Sequence, residues 1–396
     1  MLFSNFMTGM FFYILTAVLF IFSGTWLSGA AGVVSSVYVP ESVPQLDEFI
    51  TETLMVEPIA VDPFGSDGTV KILLIGEDSR VGVSVGHCDA IQFLEIDKGN
   101  SIIKITAVPR GTFSTLPGGG HAPSDYYVSN ACQIGGLAYG VEQIEKILGQ
   151  KADYVVRLGF SGAMGVLRRL DLPATESLAW LRNRHGFAIG EPQRAHNHSA
   201  FIKKILVEYA GGEAGKRDVV WQYLIFKLFK TDLTFGQVRQ IAEAFSGFDL
   251  AEHPERVRLF MRPAYQVVDI DYDTAHLDEK RQALLAPVIA LLSTEDYAGV
   301  TQEQGQAKLL ATIQNGLDSG DFVSWAFENS LWMQIDNETD RENAHFVLLQ
   351  KHIETLVDKD EAIRLTAEYI QEMEYLGLSA WAERGREMAA RFVEKK

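Results

Sequence analysis

The spacing of apolar and polar residues divides this chain into three regimes. From Phe6 to Leu27 the sequence reads FMTGMFFYILTAVLFIFSGTWL, a charge-free, mostly apolar run long enough to cross a hydrocarbon core of about 30 Å as a helix. From Thr69 the pattern changes. Val70 to Ile75, Ala90 to Ile96 and Ile102 to Val108 are short β-rich runs, and Asp97-Lys98-Gly99-Asn100 between the last two predicts a hairpin. Ala138 to Leu148 has helical spacing, and Tyr154 to Leu158 reads as another strand. Helical patterns follow at Glu176–Arg182, Ala195–Tyr209, Asp218–Phe229 and Phe235–Phe245, before Val257 to Ile270 alternates as a returning strand. Strands mixed with helices predict an α/β layered domain, a mixed sheet flanked by helices.

From Leu277 onward the pattern is helical only. Ala307–Leu317, Asn343–Val357, Glu361–Tyr375 and Ala380–Val393 carry apolar residues at most i, i+3, i+4 and i+7 positions, with Asp360 and Ser379 as expected N-caps of the last two. No fixed repeat of 30–40 residues emerges. The expected organisation is an anchor (1–32), a Ser-, Val-, Pro- and Asp-rich spacer outside the cytoplasm (33–68), an α/β domain (69–276) and an acidic helical domain (277–396).

Charge sharpens this division. Residues 1–40 contain no Asp, Glu, Lys or Arg. A cleaved signal peptide needs a basic leading end and a shorter apolar run, so the expectation is an uncleaved, single-pass membrane anchor. Ser28-Gly29-Ala30-Ala31-Gly32 could still pass for a cleavage site. With no Lys or Arg before the span, charge does not fix orientation; the short leading tail favours an extracytoplasmic C-terminal domain. The chain has 52 acidic and 35 basic residues for a net charge of −17, and −10 of that falls from residue 277 onward. This argues against a nucleic-acid or anionic-lipid surface, which needs clustered positive charge. Cys88 and Cys132 are the two cysteines. An oxidising location permits a bridge, but the expectation is two free, buried thiols.

Several chemical patterns fail. Gly211 to Arg217 (GGEAGKR) lacks the spacing of a phosphate loop. No HExxH, paired CxxC or G-x-S-x-G motif occurs. His87, Cys88, Asp89 and His121 lack recognised ligand spacing. What remains is a set of arginines and carboxylates at element ends: Asp78 and Arg80 after the first strand, Asp89 opening the second, Arg110 after the third, Arg182 and Arg184 at a helix end, and Arg194 soon after. The guanidinium fork suits phosphate oxygens, and Mg²⁺ prefers a few carboxylates plus substrate phosphates. Each arginine taken alone reads first as a surface or ion-pair residue, and only second as a phosphate ligand.

The order of these pieces resembles the LytR–CpsA–Psr family of cell-envelope proteins from about Val70 to Ile270. The family's G-x-D-x-R turn is matched by Gly76, Asp78 and Arg80, its S-D-T by Cys88-Asp89-Ala90, and its P-R-D by Pro109-Arg110-Gly111. Asn130 with Gly135-Gly136, Leu178 to His185 (LAWLRNRH) and Lys230 to Thr234 (KTDLT) are similar to further family segments. The resemblance implies a mixed α/β fold that moves a glycopolymer phosphate from a polyprenyl-pyrophosphate carrier to peptidoglycan. Arg80, Arg110, Arg182, Arg184 and Arg194 would grip the pyrophosphate, with Asp89, Arg110 and Arg182 catalytic. Asp78 and Asp89 would hold Mg²⁺, or one would accept the acceptor hydroxyl's proton. Val219 to Phe229 would line a lipid groove or serve as an ordinary core helix.

The departures matter. Gly111 replaces the family's Asp. The family's D-x-x-R-x-x-R-Q-Q becomes Glu191 to His198 with further residues exchanged, at a cost of roughly 1.5–3 kcal/mol per lost charged hydrogen bond. His196 and His198 read as surface residues. A degenerate lipid-phosphate or glycan binder and a polyprenyl pyrophosphatase therefore stay open beside the transferase. Trp325, Trp332, Tyr375 and Trp381, amid acidic residues, raise a protein partner for the helical domain as an alternative to docking on its own α/β domain.

Overall fold

Strands that are buried on both faces read as nearly continuous apolar runs, and Val70 to Ile75 is such a run. In the computed structural model, which describes residues 61–78, 86–169, 191–209, 225–269 and 302–393 together with Leu172, Ser177, Gln222 and Tyr223, it forms the centre of a six-stranded sheet. The strands are β1 (Thr69–Asp78), β2 (His87–Asp97), β3 (Ile102–Ala107), β4 (Tyr154–Gly159), β5 (Phe229–Thr231) and β6 (Val257–Met261), in the order β5-β4-β1-β2-β3-β6. The sheet is mixed: β1 runs parallel to β4 and β3 to β6, while β1–β2, β2–β3 and β4–β5 are antiparallel. The β2–β3 hairpin forms where expected, with the Asp97 carboxylate accepting hydrogen bonds from the Asn100 backbone N–H and side-chain amide.

Alternate side chains of β1 and β2 leave for opposite cores. Val70, Ile72, Leu94 and Ile96 join one cluster under helices α4 (Glu191–Tyr209) and α5 (Phe235–Ser246). Leu73, Ile75, Ile91 and Phe93 join another under α1 (Val128–Gly135) and α2 (Leu137–Leu148). Helix α3 (Phe160–Arg169) follows β4 directly. The result is an α/β/α sandwich. Phe64, within the expected spacer, is 1% exposed and packs in the α4–α5 core.

The sequence readings differ from this in several places. Phe229, expected to end a helix, lies in β5, where three residues complete the sheet edge beside β4; so short a strand leaves no alternation to detect. The expected strand Val257–Ile270 stops at Met261, because Pro263 has no N–H to continue the ladder. Helices α1 and α3 carry no long periodic pattern and were not anticipated. The two cysteines form a buried disulfide, Cys88–Cys132, with Cα atoms 6.0 Å apart, instead of two free thiols. β2 and α1 pack face to face, and Gly140 lets α2 approach α1 at the bridge, since a Cβ there would collide with the Cys132 sulfur.

The C-terminal part is helical, as expected: α6 (Gln302–Gly316), α7 (Gly320–Glu328), α8 (Glu338–Thr355), α9 (Lys359–Tyr375) and α10 (Ser379–Val393). The N-cap of α9 is Asp358, not Asp360; its carboxylate accepts from the N–H groups of Asp360 and Glu361. Trp332 is buried, and Trp325, Trp381 and Tyr375 pack inward, Tyr375 against the α/β core itself. The exposed aromatics that pointed to a partner are therefore interior groups. This part is clasped to α3 and the segment before β5. Arg168 on α3 pairs with Asp336 at 2.8 Å, Gln334 donates to Ser161 Oγ at 2.9 Å, and the Tyr223 hydroxyl donates to Glu368 at 3.1 Å. The expected span Phe6–Leu27 lies outside the described residues; among these, no helix is long and apolar enough to cross a membrane.

Candidate functional site

The site begins with an irregularity in the central strand pair. Gly76 pairs with Ala90 but Glu77 pairs with Cys88, so Asp89 is the extra residue of a β-bulge. A bulge re-aims a side chain out of the regular alternation. Here the neighbouring Cys88 is buried in the core while the Asp89 carboxylate, 34% exposed, meets Arg110, which follows β3. Arg110 Nη1 donates to Asp89 Oδ1 at 2.7 Å and Nη2 donates to Glu191 Oε1 at 3.2 Å. Arg194, one turn along α4 from Glu191, pairs with Glu191 Oε2 at 2.8 Å and donates to the Asp89 carbonyl at 3.3 Å. Two arginines and two carboxylates drawn from β2, the loop after β3 and α4 thus interlock.

Asp89, Arg110 and Glu191 of this cluster line a cleft of about 580 Å³ with His87, Gly111, Tyr127, Ser129, Asn130 and Tyr265, and Arg194 stands behind Glu191. Burial works against the charge on Arg110, but Asp89 and Glu191 outweigh it and hold its pKa above the ordinary arginine value. It is a permanent cation with five N–H donors, of which the two carboxylates engage two.

Of the residues chosen from sequence, Asp89, Arg110 and Arg194 come together. Asp78 ends β1, its backbone paired with His87 at the same end of the sheet; its side chain, like Arg80, Arg182 and Arg184, lies outside the described residues. Sequence reasoning missed Glu191 as a clamp on both arginines, although it had placed that residue as the motif's leading acid. His196 and His198 were read as surface residues, but His196 is 7% exposed, its Nε2 lying 2.7 Å from Asp269. Gln193, also buried, brackets the Val268 backbone by accepting from its N–H and donating to its carbonyl. The segment after β6 is thereby held against α4, which positions Tyr265 at the cleft. Gln92 locks the other side, donating to the Ala195 carbonyl and accepting from Ser199.

His87, Asp89 and His121 bring no metal-binding set together: among the described residues, no group of three His, Cys, Asp or Glu is arranged to hold an ion, and Cys88 is bridged. A second cleft, of about 620 Å³, opens at the β4–β5 edge between Leu137, Val141, Phe226 and Phe229, with Arg157 at its wall. Arg157 pairs with the buried Glu77 at 2.9 Å.

A family model, LytR_cpsA_psr, matches residues 45–171. The polyisoprenyl-teichoic acid–peptidoglycan teichoic acid transferase TagU of Bacillus mycoides is 24% identical over 149 residues, 37% of this chain and 48% of that one. TagU of Halalkalibacterium halodurans is 28% identical over 133 residues, 33% of this chain and 41% of the relative. The chain thus spans about half the length of the curated relatives it matches. B. subtilis TagV aligns with 17% identity and a TM-score of 0.40 over 56% of this chain and 98% of that structure. The matched segment carries β1 to α3, including Asp89 and Arg110, and over it this chain is similar to the LytR–CpsA–Psr family.

Proposed function

We propose that the chain is a membrane-anchored phosphotransferase that moves a glycopolymer from a polyprenyl-pyrophosphate carrier to peptidoglycan outside the cytoplasm. The observation that carries this reading is the cleft in which Arg110 is held between Asp89 and Glu191 with Arg194 beside it. The relatives named as teichoic acid–peptidoglycan transferases supply the substrate class. The described cluster is charge-balanced, so a pyrophosphate needs further cations. Arg80, Arg182 and Arg184 are the candidates, and Mg²⁺ is the cofactor that would share the load. Asp89 offers a hard oxygen at the cleft wall and would hold the ion together with Asp78; when bound, Mg²⁺ would offset charge on the phosphate oxygens. The acceptor hydroxyl oxygen would attack the glycan-linked phosphorus, its proton passing to a site carboxylate, and polyprenyl phosphate would leave. Arg110 and Arg194 would stabilise the charge on the transferring group.

The test is release of lipid product from a polyprenyl-pyrophosphate-linked glycan by the whole chain in detergent with Mg²⁺. Arg110→Ala should lower release at least about 100-fold, the range for losing one preorganised charge partner. Unchanged turnover in that variant would remove Arg110 from the reaction. A second reading, a binder that does not react, is favoured by Gly111 standing where the family pattern has Asp. Retained lipid binding without release would select it.

A further inference from the structure

Phe113 is 69% exposed and belongs to neither core of the α/β domain. An exposed ring on a loose loop needs no explanation, but this one is held rigidly. Ser129 N–H donates to the Arg110 carbonyl, Val128 N–H to that of Thr112, and Ser114 N–H to that of Tyr126, at 2.9–3.1 Å. Phe113 and Tyr127 face one another across an isolated antiparallel bridge. The Thr115 hydroxyl donates to Gln143 on α2 at 2.9 Å, tying down the following residue pair. The chain immediately after Arg110 is thus stitched into a short ribbon that displays its aromatic side chains outward.

Other rings lie near Phe113 on the ribbon and at the cleft. Tyr126 lies 6.2 Å from Phe113 with planes 17° apart, and His121 meets the Tyr126 ring at 87°. Tyr127 and Tyr265, 43% and 45% exposed, line the same cleft as Arg110 and Asp89. The bridge that sets Phe113 opposite Tyr127 therefore places the exposed Phe113 ring next to a residue of the arginine cleft. Rigid, exposed aromatic surface beside a polar cleft marks a binding face. The polar neighbours favour a hydroxyl-bearing ligand over a hydrocarbon chain: His87, Ser129 and the Asn130 side-chain carbonyl offer hydrogen-bonding groups at the cleft, the Asn130 amide nitrogen already donating to the Asp125 carbonyl. A pyranose ring has both properties, an apolar C–H face that stacks on an aromatic ring and a hydroxyl edge that hydrogen-bonds.

We propose that Phe113, Tyr127 and Tyr265 form a sugar-stacking platform that seats glycan rings leading away from the phosphate site. The platform rests on the transfer reading for its place beside a phosphate, but its ligand chemistry is testable separately. The sugar could belong to the carrier-linked glycan or to the wall acceptor, and two soluble probes distinguish them. N-acetylglucosamine-1-phosphate mimics a carrier-linked ring, and chitotetraose mimics a β-linked acceptor strand. Binding of each to the whole chain in detergent is measured by calorimetry for the parent, Phe113→Ala, Phe113→Trp and Arg110→Ala.

Phe113→Ala should weaken chitotetraose about tenfold and Phe113→Trp should restore it, with Tm within about 2 °C because the ring is exposed. Loss confined to chitotetraose assigns the platform to the acceptor, and loss of both probes assigns it to the glycan adjoining the phosphate. Failure of the parent to bind either sugar, or equal binding by parent and Phe113→Ala, overturns the proposal. Phe113-dependent binding of chitotetraose in a chain that neither binds nor cleaves polyprenyl pyrophosphate would keep the platform and discard the transferase.

Discussion

At the scale of single residues, the site turns on one guanidinium and one absent carboxylate. Arg110 was legible in the sequence because a Pro-Arg pair ending a strand stood in a recognisable order with Asp89 and Asp78. Glu191 was not, since its role comes from α4 crossing the sheet ends, a tertiary fact with no local signal. The bulge that turns Asp89 toward Arg110 was equally invisible, because one extra residue in a strand leaves the apolar pattern nearly intact. Gly111 is the departure with a direct test. A Cβ built there meets nothing within 4 Å, so an aspartate fits without strain. Gly111→Asp should leave Tm within about 2 °C, the ordinary range for an unstrained surface change. It should raise product release at least about tenfold if a second carboxylate is what transfer lacks, a gain typical of a placed acid–base group. No gain in release, with Tm unchanged, would show that Gly111 is not what limits turnover.

At the scale of elements, strong periodicity located the three long strands and most helices, and failed where packing decides. β5 is three residues long, and α1 and α3 owe their form to the sheet they cover. The disulfide belongs to this scale, because it fastens α1, and with it Ser129 and Asn130, to β2 beside Asp89. The bridge closes a separation of 44 residues; chain entropy assigns such a loop about 4 kcal/mol. Cys88→Ser with Cys132→Ser should lower the denaturation midpoint accordingly, by an amount read from chemical unfolding. A loss under about 1 kcal/mol would show that α1 packs without it. Helix α8 supplies a pH test. His352 is buried with its ring stacked on Phe327, 4.6 Å between centroids. Burial lowers its pKa, against the opposing pull of Glu328 and Glu361. The folded chain therefore keeps this imidazole neutral at a pH where the unfolded chain, titrating near 6.5, has taken up a proton. The sign follows: stability is undiminished above about pH 6.5 and falls as pH drops below it. Tm measured between pH 7.5 and 5.5 should decline, and His352→Phe should flatten that decline. An unaltered slope in the variant would assign the dependence to other groups.

At the scale of the whole molecule, the acidic helices are fastened to the domain that bears the site. Composition and loss of strand pattern led to the expectation of a boundary near residue 277, which lies outside the described residues, and carried no signal of docking. Trp332 and Tyr375 look like exposed aromatics among acids until Trp332 stacks on His345 of α8 and Tyr375 packs against the α/β core. Leu228 is shared between the α/β core and the helical cluster, so removing the helices uncovers apolar surface on the segment leading to β5. A chain ending at residue 276 should aggregate or lose its cooperative unfolding transition, checked by size-exclusion chromatography and thermal circular dichroism. A monomeric, cooperatively folded product would return the helices to the role of an independent partner module.

The central claim is that Arg110, clamped by Asp89 and Glu191, receives the phosphate of a lipid-linked glycan. The measurement that tests it most directly is single-turnover release of polyprenyl phosphate by the whole chain with Mg²⁺, run beside Arg110→Ala. The account predicts release by the parent and a loss of at least about 100-fold in the variant, both proteins remaining folded. Equal release by the two, or none by a parent that also fails to bind the carrier, would contradict it.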